Sequence, residues 1–178
     1  GLYVPEDDGG MGLGPIEGMV VMEELGRGMV MEPLAQSLIA GAVLAGYADA
    51  ATRAAWLPGV ASGEKLVTLA YQERGSRYAL GDIAGKAHQA PGGYVLNATK
   101  SIVAAGDKAD AYIVSAKVNS VMGLFLVERE SAGVSTRGYN TQGGVRAAPV
   151  RHRRPQRLAA PACRRLPARR TDGRTAQG

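Results

Sequence analysis

Few side chains in this 178-residue chain are of a type and spacing that could do acid–base work. Glu73, Glu128 and Glu130 lie in or beside strand-like runs, where a carboxylate could act as a general base, yet acidic residues in such places are ordinarily solvated surface. His88 stands alone in a strand pattern and His152 lies in the C-terminal tail, so neither a Ser-His-Asp triad nor a histidine metal site has its partners. The single Cys163 excludes an internal disulfide and a cysteine metal cluster. The glycines of "GGMGLGPIEG" superficially suggest a phosphate loop. No strand leads into them, no Lys-Ser or Lys-Thr follows, and Pro15 removes a donor from the helix start, so the stretch is read as a loop. No catalytic residue and no metal ligand is assigned.

Charge divides the chain in two. Residues 1–145 hold 11 Lys plus Arg against 15 Asp plus Glu, a balance of −4, whereas 146–178 hold 10 Arg and Asp172, a balance of +9. The tail has no Lys, no aromatic residue, and Val150, Thr171 and Thr175 as its β-branched residues, so no packed core and no ordered structure is expected of it. Its arginines could attract phosphate backbones, which makes nucleic-acid binding one alternative function. Nothing upstream looks like a nucleic-acid module, and the Arg, Ala, Pro and Gly content is also what a GC-rich gene yields out of frame. The abrupt start at Gly1 likewise reads as cut. No apolar run reaches eighteen residues and no signal peptide is evident, so a cytoplasmic, non-membrane protein is the expectation.

The elements that would position any site begin with "PEDDGGMGLG", a loop by its chemistry. Pro15 suits a first helical turn, and Ile16, Met19, Val20, Met22 and Leu25 follow helical spacing until Gly26 or Gly28. Pro33 opens a second helix, "LAQSLIAGAVLAGYA", apolar on most sides and expected to lie buried between neighbours. Asp49 can cap a third, expected to stop at Pro58, with Trp56 as a core or interface anchor. After Gly63 the pattern turns to short strands: "LVTLAY", "IAGKAHQA", "YVLNAT", "AYIVSAKV", "LFLVERE" and "GVSTRG". The reading is α+β, with N-terminal helices followed by a small antiparallel sheet or barrel. Three regions are expected: a partial helical domain at 1–64, a β-domain at 65–145 and the arginine-rich tail at 146–178.

The order of "YVPEDDGGMGL", "WLPGVASGEK" and "GGYVLNATKSIVAAGDKADAYIVSAKV" resembles the acyl-CoA dehydrogenase family from about Leu2 to Val145. The resemblance implies FAD held between the β-domain and a C-terminal helical domain, with α,β-dehydrogenation of an acyl-CoA thioester. It implies flavin contacts at Tyr71, Gln72, Ile102 and Ala104, and substrate contacts at Gly75 and Ser76; the charged loop "GDKAD" would be the polar rim of that face. The family run Thr-Glu-Pro-x-x-Gly-Ser-Asp is matched here by "QERGSRYA", keeping Glu73 but placing Gln72 for Thr and Arg74 for Pro. In "NATKSIVAAG", Ile102 replaces an aromatic residue and Ala104 a Thr, and both also suit an ordinary strand core. The family base belongs to the C-terminal domain, which the tail does not resemble, so the chain is expected to be inactive alone. Two further expectations follow: a homo- or hetero-oligomer with acyl-CoA dehydrogenase subunits and, as an alternative function, a non-catalytic partner subunit of a heteromeric enzyme.

Overall fold

The computed structural model describes residues 1–76, 79–91, 93–140, 146–152 and 163–166. It is α+β: a short 3-10 turn at Glu6–Asp8, then α1 (Pro15–Arg27), α2 (Leu34–Tyr47) and α3 (Ala50–Ser62), then a sheet. Its strands are β1 (Val67–Ala70), β2 (Lys86–Ala90), β3 (Gly93–Ala104), β4 (Ala111–Val118), β5 (Val121–Glu128), β6 (Val134–Thr136), β7 (Tyr139–Asn140), β8 (Arg146–His152) and β9 (Cys163–Leu166).

Pairing in the sheet is antiparallel except along one edge of β4, where β1 lies parallel over four residues and β2 touches it through a single parallel register, Lys86 with Lys117. This arrangement places the site. β1 and β2 share one edge of β4, so the chain must leave the sheet after Ala70 and return at Lys86, and the excursion of residues 71–85 stands beside β3. β4 and β5 are joined by two residues, Asn119 and Ser120, both at positive φ (47° and 70°), the conformation that matches the twist of a tight hairpin and that Asn tolerates best.

Period-two alternation sorts the core onto two faces. Tyr112, Val114 and Ala116 of β4 join Phe125 and Val127 of β5 and Leu96 and Ala98 of β3 on one face. Ala111 and Ile113 join Leu126 and Val67 on the other, beneath Leu44 of α2, Leu57 of α3 and Val4 of the N-terminal loop. The helices and the sheet therefore share a core.

Helix chemistry accounts for most of the helical layer. Asp49 caps α3, its carboxylate accepting from the Thr52 amide at 2.7 Å. Glu17 accepts from the Gly14 amide at the start of α1 at 2.9 Å. Pro58 does not end α3, contrary to the expectation: the helix continues to Ser62 and stops where Gly63 takes a left-handed φ of 84°. Pro58 removes the intrahelical donor to the Ala54 carbonyl; separately, Lys65 folds back so that its Nζ donates to the Ala55 carbonyl at 2.9 Å and lies 4.7 Å above the Trp56 ring. Trp56 is half-buried and packs against the helix-side core, as an interface anchor should.

Two apolar helices are less covered than their composition suggests. α2 buries Leu38, Ala40, Gly41 and Leu44 but leaves Ile39 exposed, so it is covered on one side rather than enclosed. α1 buries Gly18 alone, while Ile16, Met19, Val20 and Met22 face solvent. Within the tail, β8 runs antiparallel to β3 and to β6, and β9 antiparallel to β5. Edge pairing needs backbone N–H and C=O groups rather than a packed core, so such strands are compatible with the tail's composition. The rest of the tail lies outside the described residues. Among the described residues no helix is long and apolar enough to cross a membrane.

Candidate functional site

The excursion between β1 and β2 and the middle of β3 enclose an open cleft of about 1150 Å³, lined by residues 73–75, 84–86, 97–99, 101–102 and 135–137. β3 is longer than the sequence suggests, running through "SIVA", and a bulge between Lys100 and Val103 interrupts its pairing with β8. At the bulge Ile102 adopts a φ of 54° and leaves 60% of its surface exposed to the cleft. A β-branched residue in the left-handed region costs on the order of 1–3 kcal/mol, and such strain concentrates where a backbone serves a ligand.

Beneath the bulge lies a buried ion pair. Lys100 alternates inward with Leu96 and Ala98, and its side chain is 1% exposed. Its Nζ donates to Glu73 Oε1 at 2.6 Å, to Ser115 Oγ at 3.0 Å and, more weakly, to the Tyr71 carbonyl at 3.4 Å. Glu73 is in turn filled: Oε2 accepts from the Ala84 amide at 2.8 Å and Oε1 also accepts from the Gly85 amide at 3.1 Å. Burial alone would raise the Glu73 pKa, but the hydrogen bond and charge of Lys100, with the two amides, hold it below the ordinary carboxylate value. Burial lowers the Lys100 pKa, a shift that Glu73 partly offsets.

Glu73 is therefore not a solvated surface carboxylate, as its sequence context suggested. Glu128 and Glu130 are exposed, as expected, and lie away from the cleft. Lys100 carried no signal of its own type. It could have been found from the alternation that places it on the buried face of β3 between two inward apolar positions and the bulge.

Of the six residues expected to contact flavin or substrate, Gly75 and Ile102 line the cleft. Tyr71, Gln72, Ser76 and Ala104 flank it. Tyr71 is exposed and Gln72 half-buried, with the Gln72 carbonyl accepting from the Ser101 amide at 2.8 Å, which brings the two expected flavin runs together. Ser76 exchanges hydrogen bonds with the Glu73 backbone, its Oγ donating to the carbonyl at 3.1 Å and accepting from the amide at 3.3 Å. Ala104 is half-buried at the end of β3. The "GDKAD" loop, expected as the polar rim, is not among the lining residues. It is tied elsewhere: Asp110 accepts from the Leu66 amide at 2.8 Å at the start of β1, and the Tyr112 hydroxyl donates to the Gly106 carbonyl at 2.7 Å. Among the described residues no three His, Cys, Asp or Glu side chains converge as a metal site.

Gly85 shows how tightly the wall is built. A Cβ there would stand 2.9 Å from Ala98 Cβ and 3.1 Å from Glu73 Oε1. Gly85→Ala is expected to destabilise the chain by about 1–3 kcal/mol, as overpacking does, and a denaturant midpoint matching wild type would contradict it.

The comparisons with known proteins agree with this architecture. Residues 1–64 match the model for the acyl-CoA dehydrogenase N-terminal domain. Mitochondrial isovaleryl-CoA dehydrogenase of Oryza sativa subsp. japonica is 33% identical over 144 residues, 76% of this chain and 35% of that protein. The ChsE4-ChsE5 complex of Mycobacterium tuberculosis matches over 92% of this chain and 43% of that one, at 26% identity and a TM-score of 0.77. An acyl-CoA dehydrogenase of Bacillus anthracis, complexed with FAD, matches over 93% of this chain and 28% of that one, at 25% identity and a TM-score of 0.72. The chain belongs to the acyl-CoA dehydrogenase family. It spans about a third of the length of the curated relatives it matches.

Proposed function

We propose that the cleft wall formed by residues 71–76 and 97–104 is one side of a flavin site in an acyl-CoA dehydrogenase-type oxidoreductase, with FAD as cofactor and an acyl-CoA thioester as substrate. The observation that carries this reading is Ile102, a strained aliphatic residue held out into the cleft rather than packed in the core. An apolar side chain beside exposed backbone suits the face of a flat ring system, and the cleft is of the size that cofactor sites occupy. When bound, FAD supplies the hydride acceptor that the protein's own residues lack.

The wall furnishes no base. Glu73 is the acidic residue among those lining the cleft, and both its oxygens are engaged by Lys100 and two amides. A carboxylate that keeps its proton affinity below the ordinary range and lies beneath the wall is poorly suited to take an α proton. On this reading the proton-abstracting group comes from outside this wall, and the wall supplies binding and orientation.

Ile102 provides the test. Ile102→Gly relieves the left-handed strain and is expected to raise stability by about 1 kcal/mol while weakening FAD binding several-fold, measured by flavin fluorescence titration. Unchanged FAD affinity in a stabilised variant would remove the support for a flavin wall. A second reading, a partner subunit that docks on another dehydrogenase chain, draws on the uncovered Ile16, Met19 and Val20 of α1 and on the assembly reported for the ChsE4-ChsE5 relative. Co-purification with a complete dehydrogenase subunit supports it, and a monomer that binds none argues against it.

A further inference from the structure

We propose that Lys100 is a positioning residue, whose buried ammonium ties the excursion of residues 71–85 to β3 and β4 and thereby sets the shape of the cleft wall. This inference deepens the flavin reading and rests on it for its ligand arm.

An ammonium has three N–H donors, and the three acceptors around this one come from three places: the Tyr71 carbonyl where the chain leaves β1, the Glu73 carboxylate within the excursion, and Ser115 on β4. Glu73 extends the tie to the far end of the same excursion by accepting from Ala84 and Gly85, just before β2 begins. One buried charge pair therefore fixes both ends of a fifteen-residue segment, numbered 71–85, that contains no strand or helix among its described residues.

Position and residue type argue that this is more than core filling. Lys100 occupies an inward position on β3 after Leu96 and Ala98, where an apolar side chain would pack at less desolvation cost. The two residues that follow it, Ser101 and Ile102, line the cleft, and the Ser101 amide donates to the Gln72 carbonyl. The pair sits directly under the point at which the backbone turns its strained residue outward.

The test compares the full wild-type chain with Lys100→Met, Glu73→Gln and the Lys100→Met/Glu73→Gln double variant by amide hydrogen exchange and by FAD titration. The informative amides are Ser101, which donates to Gln72, and Lys117, which donates to the Gly85 carbonyl; neither bond involves an altered side chain. The expected result is exchange at these two amides faster, by at least tenfold beyond any change in the middle of β4 and β5, in every variant. FAD affinity is expected to fall at least tenfold in the double variant, with an altered visible absorption envelope of the bound flavin. Should Lys100→Met not fold, Glu73→Gln carries the same comparison. Unchanged exchange at Ser101 and Lys117, or loss in parallel with β4 and β5, overturns the positioning role. Failure of the wild-type chain to bind FAD overturns the flavin reading instead, and the exchange result still decides the role of Lys100.

Discussion

Lys100→Ala, with Glu73 left in place, is expected to destabilise the fold by about 3–5 kcal/mol, the range for stranding one member of a buried pair. The pair warrants that range because its side chains are 1% and 9% exposed and 2.6 Å apart. Restoring neutrality with Lys100→Met/Glu73→Gln should recover most of the loss, since two uncharged groups leave no buried charge. Denaturant unfolding of Lys100→Met, Glu73→Gln and the double variant yields the coupling directly, and simple additivity of the single losses would show that the two residues do not act as a pair.

The same pair predicts how stability responds to acid. The folded-state pKa of Glu73 lies below its ordinary 4.5, so its contribution is fully present above that pH, where the unfolded chain is ionised too. As pH falls from 4.5 through the lower folded value, the unfolded chain takes up the proton first and the contribution is lost. Lys100 has the opposite sense: burial places its pKa below the ordinary 10.5, so charging it opposes folding, and that opposition is relieved as pH rises through the lowered value. Wild type should therefore lose more stability than Glu73→Gln between about pH 7 and about pH 3.5. Equal losses would assign acid sensitivity to other groups.

Phe125→Ala is the second large effect, with an expected loss of about 3–5 kcal/mol. Phe125 is the chain's single phenylalanine, fully buried on β5, and meets Tyr94 edge to face with ring centroids 5.2 Å apart and planes at 61°. Nothing small can fill that space without moving β3 toward β5. Met122→Ala on the same strand, at a 54% exposed position, should change stability by no more than about 0.5 kcal/mol. Comparable losses at both positions would mean that the sheet is not packed as described.

Local chemistry made most of the elements legible. Asp49 caps α3 because a carboxylate can reach the first free amides of any helix that follows it, and the period-two runs "AYIVSAKV" and "LFLVERE" became β4 and β5 because alternation can satisfy two faces at once. Pro58 misled because losing one intrahelical donor does not outweigh the packing of Leu57 and Val60 against the helix-side core, which is invisible locally. Gly75 and Ile102, put forward by the family resemblance as a substrate contact and a flavin contact, line the cleft.

What the chain's own order of residues determined is thus its α+β character, its helix starts and its family, all of which depend on neighbours a few positions apart. Folding decided the rest. Glu73 and Lys100 are 27 residues apart, and they become a buried pair only because β1 and β2 share one edge of β4 and force the intervening segment across β3. A carboxylate and an ammonium have no fixed role by type. Their burial, their partners and their proton affinities come from the low-dielectric space that the sheet builds around them.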